Sequence, residues 1–488
     1  MPVSLPIEGI DLHNVQFVKL YQNAEDVIHK LKNKNLKKIT IIGAGKLGVM
    51  LAKTLTAENH DITIIDINED RVGKLVEMLD VQGISGSATH YDVLDEADMK
   101  SCDLLICTTP SDENNILSCL IAKKMGAKHT IARVRNPEYS SQMNFMRDEL
   151  GISMMINPDF AAALEIFRIL QFPSASTVES FSHGRIHMAG LKVSEKSMLA
   201  NKKISEIPNK YINSFIICAV CRGDDVFIPN GDFIIIPGDI LHITGSHHDL
   251  GKIVKELISK KSTNVKSIML IGGSRISIYL TNMLTASGKD VVVIEKNKRN
   301  CDKLYEHCPK ATVINGDASD YSLLAEEGID KVDAVVTLTD TDEVNFLVSM
   351  YSESIGVKKN ITKINNQNLS RMLTKMGMES YVNISEITSD IITQYVRARS
   401  SVSSSNMKTL YKLVDGKIEA IEFVAGEGIS FLNKPISSLR IKKDILIAAI
   451  QRKNKTIFPT GSDVIKEHDR VIIVSKDTKI YSLNDILS

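Results

Sequence analysis

The stretch Ile39–Arg71, ITIIGAGKLGVMLAKTLTAENHDITIIDINEDR, decides how the rest of the chain is read. An apolar strand (Ile39, Ile41, Ile42) enters a glycine-rich turn, Gly43-Ala44-Gly45-Lys46-Leu47-Gly48. A helix follows from Val49 to Glu58, and a second strand, Asp61 to Ile65, ends at Asp66. This is the pattern of a dinucleotide-binding βαβ unit. Gly43 permits the tight turn, Gly45 lets the backbone reach a pyrophosphate, and Gly48 lets helix and strand approach closely. Asp66 falls where a ribose would sit. A carboxylate there accepts from the 2′- and 3′-hydroxyls and repels a 2′-phosphate, which favours NAD, NADH or another adenosine nucleotide over NADP.

Around this unit the composition is that of a globular, multidomain chain. The 488 residues are enough for three or four domains, and 43% of them are hydrophobic. Lys plus Arg and Asp plus Glu both number 59, so no overall field draws nucleic acid or an anionic membrane. Seven scattered cysteines do not make a disulfide framework, and the N-terminus lacks a basic segment followed by an apolar one, which points to a reducing cytosol. Cys218-Ala-Val-Cys221 lies in an apolar, strand-like run whose alternation sends positions three apart to opposite faces, so two core cysteines are expected there rather than a metal site. No apolar run approaches the ~18 residues that a membrane-spanning helix needs.

Residues 1–36 are a polar N-terminal extension with a helix expected over 15–31, followed by a lysine-rich hinge. Beyond Asp66, strands and helices alternate through Asp103–Thr109 and the strand at 129–136, which implies a parallel, doubly wound sheet with any ligand across the carboxyl ends of its strands. That edge collects Gly43 to Gly48, Asp66, Ser87, Thr109, Pro110 and Arg133. Strand alternation lets only one of Arg133 and Arg135 face a ligand. A helix from Asn157 to Leu170, ended by Pro173, is expected to cross to a neighbouring subunit. Residues 185–257 then read as a small α+β domain, a hairpin and a meander closed by a helix, with turns at Arg222-Gly-Asp, Pro229-Asn-Gly231 and Pro237-Gly-Asp239.

The chain is a duplication. Residues 268–300 match 39–71 without a gap at an offset of 229, and the match continues at 230 from Gly86 against Gly316 to IARVR against ITKIN. Pro229, Gly231 and Asp239 recur as Pro459, Gly461 and Asp469. Two Rossmann-like doubly wound sheets, over 37–160 and 265–390, are each followed by a small α+β domain, over 161–260 and 405–488, with a serine-rich hinge at 400–406. In the second copy the turn reads Gly272-Gly273-Ser274-Arg275-Ile276-Ser277, and a side chain at Ser274 obstructs close backbone approach. Lys363 and Asn365 stand where Arg133 and Arg135 stood, while Glu295 and Asp317 remain able to hold a ribose or an adenine amino group.

GAGKLG with Asp66, SDENN at 111–115, IARVRNPEY at 131–139 and the echo GDASD at 316–320 resemble the tandem potassium-conductance-regulator (RCK) proteins over residues 37–487. The resemblance implies a cytosolic, nucleotide-sensing gate, peripheral on the inner face of the cell membrane. It implies a homo-oligomer, a dimer or tetrameric ring, on an integral-membrane potassium transporter subunit, with no nucleic acid partner. It further implies binding of NAD or NADH, or of ATP or ADP, through Gly43 to Leu47, Asp66, Thr109, Pro110 and Arg133. The counterparts in the second copy are Gly272, Gly273, Ser274, Arg275, Ile276 and Glu295. Ser87 departs from the Asn, Asp or His usual at that position.

Two other classes compete with a gate. An NAD-dependent oxidoreductase needs a general acid or base brought to the nicotinamide. The small domains are short of such groups, and His242, His247 and His248 read as surface residues near a strand end. The chain also lacks H-E-x-x-H and the Walker lysine pattern. The third class is a structural subunit of a cation channel or antiporter whose Rossmann units bind nothing.

Overall fold

The computed structural model describes residues 37–488 apart from 137–138, 140–141, 174, 183–184, 209–210, 212–213, 254–255, 258–264, 367–368, 370–379, 401–406, 415, 427, 454 and 477–479. The N-terminal extension with its expected helix, and all but the first residue of the serine-rich hinge, lie outside the described residues.

In the first half, strands β1 (Lys38–Ile42), β2 (Asp61–Asp66), β3 (Gln82–Ser85), β4 (Leu104–Cys107), β5 (His129–Arg133) and β6 (Met154–Ile156) form one parallel sheet in the spatial order 3-2-1-4-5-6. Helices cover both faces, which is why β4 is buried at every position and β1 at all but its first. The order reverses between β1 and β4, and there the crevice for a ligand opens at the carboxyl ends of the strands. The second half repeats the order with Ser267–Ile271, Asp290–Glu295, Thr312–Asn315, Ala334–Thr337, Lys359–Lys363 and Tyr381–Val382.

The helix leaving each sheet packs on the other sheet. Asn157 caps Pro158–Gln171 by accepting the Phe160 N–H at 3.0 Å, and Pro158 fits the first turn, where no N–H is needed. Its apolar stripe, Ala162, Ala163, Ile166, Ile169 and Leu170, enters the core of the second Rossmann unit with Ile268, Leu270 and Leu280. Reciprocally, Ile392 and Val396 of helix Ile384–Ser400 enter the core of the first unit with Ile41 and Leu51. The expected crossing to a neighbouring subunit is therefore made within one chain. Ala162 and Ala163 let the helix approach the other half closely, and the duplication supplies the partner.

Each small domain is a five-stranded antiparallel sheet. In the first the order is Asp225–Phe227, Phe215–Arg222, Ile240–Gly245, Ile186–Lys192, Ala175–Phe181. The second repeats it with Lys455–Ile457, Ile445–Arg452, Arg470–Lys476, Ile418–Val424, Met407–Leu413. The hairpin at Arg222–Asp225 forms around Gly223 at φ +59°, but the rest is no meander, because Ile240–Gly245 inserts between strands that precede it in the chain. The recurring aspartates are structural: Asp239 takes both Nε and Nη2 of Arg222 at 2.8 Å, and Asp469 takes Nη2 of Arg452 at 2.7 Å. The two sheets meet face to face through Phe181, Ile186, Met188, Ile418, Ala420, Ile472 and Val474. Cys218 and Cys221 both enter that interface, because a bulge between Ile217 and Ala219 breaks the alternation that would have separated them. Burial pushes the Cys218 thiol up to about 12 and the Cys221 thiol up to about 11. His242 is a further correction: it is 4% exposed within its strand, not at the surface. The side chains of His247 and His248 lie outside the described residues.

Among the described residues no helix is long and apolar enough to cross a membrane, and no group of three metal-ligating side chains converges.

Candidate functional site

The crevice is built from β1, its turn and the helix Lys46–Thr56. Gly43 stands at φ +102° and donates its N–H to the Ile65 carbonyl at 2.8 Å, so the chain turns directly over the end of β2. Gly48 is required by contact: a Cβ there would sit 1.8 Å from the Gly43 carbonyl oxygen. At Gly45 a Cβ would meet nothing within 4 Å, and no side chain caps the helix that starts after it. The first-turn N–H groups of that helix therefore face open space with the positive end of its dipole behind them, an arrangement that takes a phosphate. Lys46 is exposed beside them, whereas Leu47 is buried in the sheet's core.

Asp66 closes the turn as well as facing the crevice. Its Oδ2 accepts the Ala44 N–H at 2.6 Å and its Oδ1 the Asn68 N–H at 2.9 Å. Each oxygen retains a lone pair for a ribose hydroxyl. Ile67, the next residue, is 80% exposed, an apolar side chain left in the open beside the acid. Sequence reading passed over it, although an isoleucine directly after the ribose acid was the available signal. Ser87 lies across from it with its hydroxyl 2.9 Å from that of Thr89.

The far wall is organised by Asn115, which sequence reading used only as part of a motif. Its Oδ1 accepts the Thr109 N–H at 2.9 Å and the Thr109 hydroxyl at 2.7 Å, and its Nδ2 donates to the Thr109 and Arg133 carbonyls at 3.0 and 2.9 Å. The loop Thr109–Pro110 is thereby fixed at the crevice lip. Arg133 donates from Nη2 to the Thr109 carbonyl at 2.5 Å, and its buried Nε finds no hydrogen-bond partner among the described residues. Burial, with Arg135 nearby, brings its guanidinium down to about 10; it stays charged at neutral pH. Arg135 lies beyond the last residue of β5, 3.9 Å from Asp159, so strand alternation does not decide between the two.

The second copy keeps the frame and changes the groups around its turn. Asn345 repeats the Asn115 network on Thr339 and Lys363, with Lys363 directed to Asp340 at 3.4 Å. Gly272 keeps its φ of +103°, and Glu295 accepts from Gly273 and Asn297 as Asp66 does from its own turn. The Ser274 hydroxyl, however, caps the helix Arg275–Ala286 by accepting the Ser277 N–H at 3.4 Å, and the Ser277 hydroxyl donates to the Gly272 carbonyl. Lys296, in the place of Ile67, bonds Asp317 in the place of Ser87 at 2.6 Å, an exposed pair. This partner holds the Asp317 carboxyl down at about 2. Ile276 is core, and Arg275 turns away to Asp159 of the first half, Nε to Oδ2 2.9 Å.

Two Rossmann units that exchange their exit helices, each followed by a small antiparallel sheet, define a tandem nucleotide-fold chain. Family models described as the TrkA-N domain match residues 39–158 and 268–384, and those described as the TrkA-C domain match 188–258 and 420–488; the chain belongs to the TrkA family. It is 33% identical over 446 residues to Trk system potassium uptake protein TrkA homolog 1 of Methanosarcina mazei, covering 90% of this chain and 97% of that one. The TrkA homolog of Archaeoglobus fulgidus is 30% identical, with 92% and 99% covered. In fold the chain is similar to the GsuK channel (TM-score 0.60, 18% identity, 91% of this chain and 78% of that one) and to the GsuK RCK domain (TM-score 0.59, 18% identity, 91% and 93%).

Proposed function

We propose that this chain is a nucleotide-sensing regulatory subunit that gates a membrane potassium-uptake transporter from the cytoplasmic side. One adenine nucleotide, NAD or NADH, or ATP or ADP, is bound in the first Rossmann crevice. The observation that carries the reading is the pairing of an uncapped helix N-terminus at Gly45 with the Asp66 carboxylate across the same turn. Phosphate and ribose are thus addressed within one βαβ unit. The relatives' description as Trk system potassium uptake proteins supports the pathway, and a GsuK channel structure of the same fold (TM-score 0.59) described as bound to NAD supports the ligand class.

In the second crevice, Ser274 takes up the helix end and the Lys296–Asp317 pair spans the adenine slot, which favours one nucleotide per chain. The ring or dimer that docks on the transporter transmits the event by linkage: the nucleotide shifts a conformational equilibrium by its differential affinity, about 1–3 kcal/mol for a typical coupling.

The test is potassium flux into vesicles holding the transporter's membrane subunit with the full chain added. NADH or ADP is expected to change the flux with the parent and not with Gly45→Ala. A nucleotide-independent flux with the parent, or NADH oxidation by the chain in the presence of hydroxy acids, would overturn the reading.

A further inference from the structure

The helix whose N-terminus forms the phosphate site has an equally distinctive other end. Two residues beyond Lys46–Thr56, Glu58 is 7% exposed, and its carboxylate receives Arg397 through Nη2 at 2.6 Å and through Nε at 3.1 and 3.2 Å. Arg397, 1% exposed, places two further N–H groups on Glu419, Nη1 to Oε2 at 2.7 Å and Nη2 to Oε1 at 2.8 Å. The Tyr481 ring lies 5.8 Å from the same guanidinium. Three parts of the fold meet in these groups: the nucleotide helix of the first Rossmann unit, the exit helix of the second, and the strand Ile418–Val424 of the second small sheet. A planar guanidinium clamped on both edges transmits displacement because neither carboxylate can leave without stranding a buried charge.

The pseudo-symmetric place has none of this. By the register of the repeats, Ser287 stands for Glu58, the exposed Gln171 for Arg397, and His187, 5.4 Å from the Phe172 ring, for Glu419. Among the described residues the clamp thus has no counterpart at the equivalent place of the other half.

We propose that the Glu58–Arg397–Glu419 clamp is a one-sided transmission link. It carries the position of the nucleotide helix in the first Rossmann unit directly to the second small domain, while the first small domain has no clamp of its own and meets the second only through their shared interface. This rests on the nucleotide reading above. The helix is continuous over its 11 residues, so on this proposal a phosphate drawn onto its N-terminus moves Glu58 at the far end, and Glu419 follows through Arg397.

Amide hydrogen exchange of the full chain, with and without saturating NADH and separately ADP, tests the link, with calorimetry confirming binding. On binding, exchange is expected to change about fivefold or more in residues 418–424 and 470–476, a coupling at the low end of the usual range, and to stay within about twofold, below that range, in 202–203 and 234–235 of the first small domain, which lie off the interface between the two sheets. In the triple variant Glu58→Leu, Arg397→Met, Glu419→Leu, which replaces the buried ions with apolar groups, NADH affinity is expected within about threefold of the parent while the remote change is lost. Equal responses of both small domains in the parent, or a remote change surviving in the triple variant, would overturn the link. If the triple variant does not fold, the asymmetry of the parent decides. Absence of binding to the parent would overturn the nucleotide reading itself, and calorimetry separates that outcome from a failed link.

Discussion

The Asp66 carboxylate accepts the Ala44 N–H at 2.6 Å, so the acid proposed to bind a ribose also holds the turn proposed to bind a phosphate. On that proposal one piece of backbone reads both parts of the nucleotide. Replacing Asp66 therefore acts twice. Asp66→Ala is expected to weaken NADH roughly tenfold to a hundredfold, the loss of about 1.5–3 kcal/mol for a charged hydrogen bond, and to lower the melting temperature. Asp66→Asn keeps an acceptor for Ala44 and is expected to retain most of the thermal stability while losing affinity. Calorimetry and thermal unfolding on both variants separate the roles.

The glycines of the turn divide into one proposed to serve the ligand and one that the fold requires. A methyl group at Gly45 meets nothing, whereas at Gly48 it would lie 1.8 Å from the Gly43 oxygen. Gly45→Ala is expected to unfold at the parent's temperature and to lose nucleotide-induced stabilisation. Gly48→Ala is expected to lose about 1–3 kcal/mol or more by overpacking, visible in melting without any ligand.

His242 makes the first small domain sensitive to acid. Burial brings its imidazole down to about 4, against an ordinary value of 6.5, so the unfolded chain takes up the proton first as pH falls. The stabilisation is complete above pH 6.5, declines between 6.5 and 4, and amounts to about 3 kcal/mol in full. Ile472 fills the equivalent position of the second small sheet, opposite Ala449 as His242 is opposite Ala219. His242→Ile is expected to show a smaller fall in melting temperature between pH 7 and pH 5 than the parent.

The second crevice should open when its own groups are withdrawn. Ser274→Gly with Lys296→Ile removes the hydroxyl that caps the helix and the lysine that bonds Asp317. The double variant is expected to gain a second, weaker nucleotide site by calorimetric stoichiometry, while the first site keeps its affinity.

Much of this was legible from residues alone. The periodicity around Gly43–Gly48 placed β1, the helix and β2, and the offset from Ile39 to Ile268 placed the second sheet, because parallel strands buried on both faces leave a strong apolar signal. The loss of glycine at 274 and 277 was legible and the structure shows what the two serines do there, capping the helix and bonding the turn, but the Lys296–Asp317 pair was invisible, since it joins residues on two strand ends. What sequence could not give was the direction of the exit helices. An apolar stripe such as Ala162–Leu170 records that a face is covered and not by which copy. The bulge at Cys218 was hidden for a related reason: one extra residue leaves composition unchanged while reversing which face a side chain takes. The Arg397 clamp spans residues 58 to 419, and no local pattern announces it.

The most direct test of the account is a calorimetric titration of the full chain with NADH, repeated with ADP. The account predicts one nucleotide per chain for the parent and none for Gly45→Ala. No binding by the parent, two equivalent sites, or binding that persists unchanged in Gly45→Ala would contradict it.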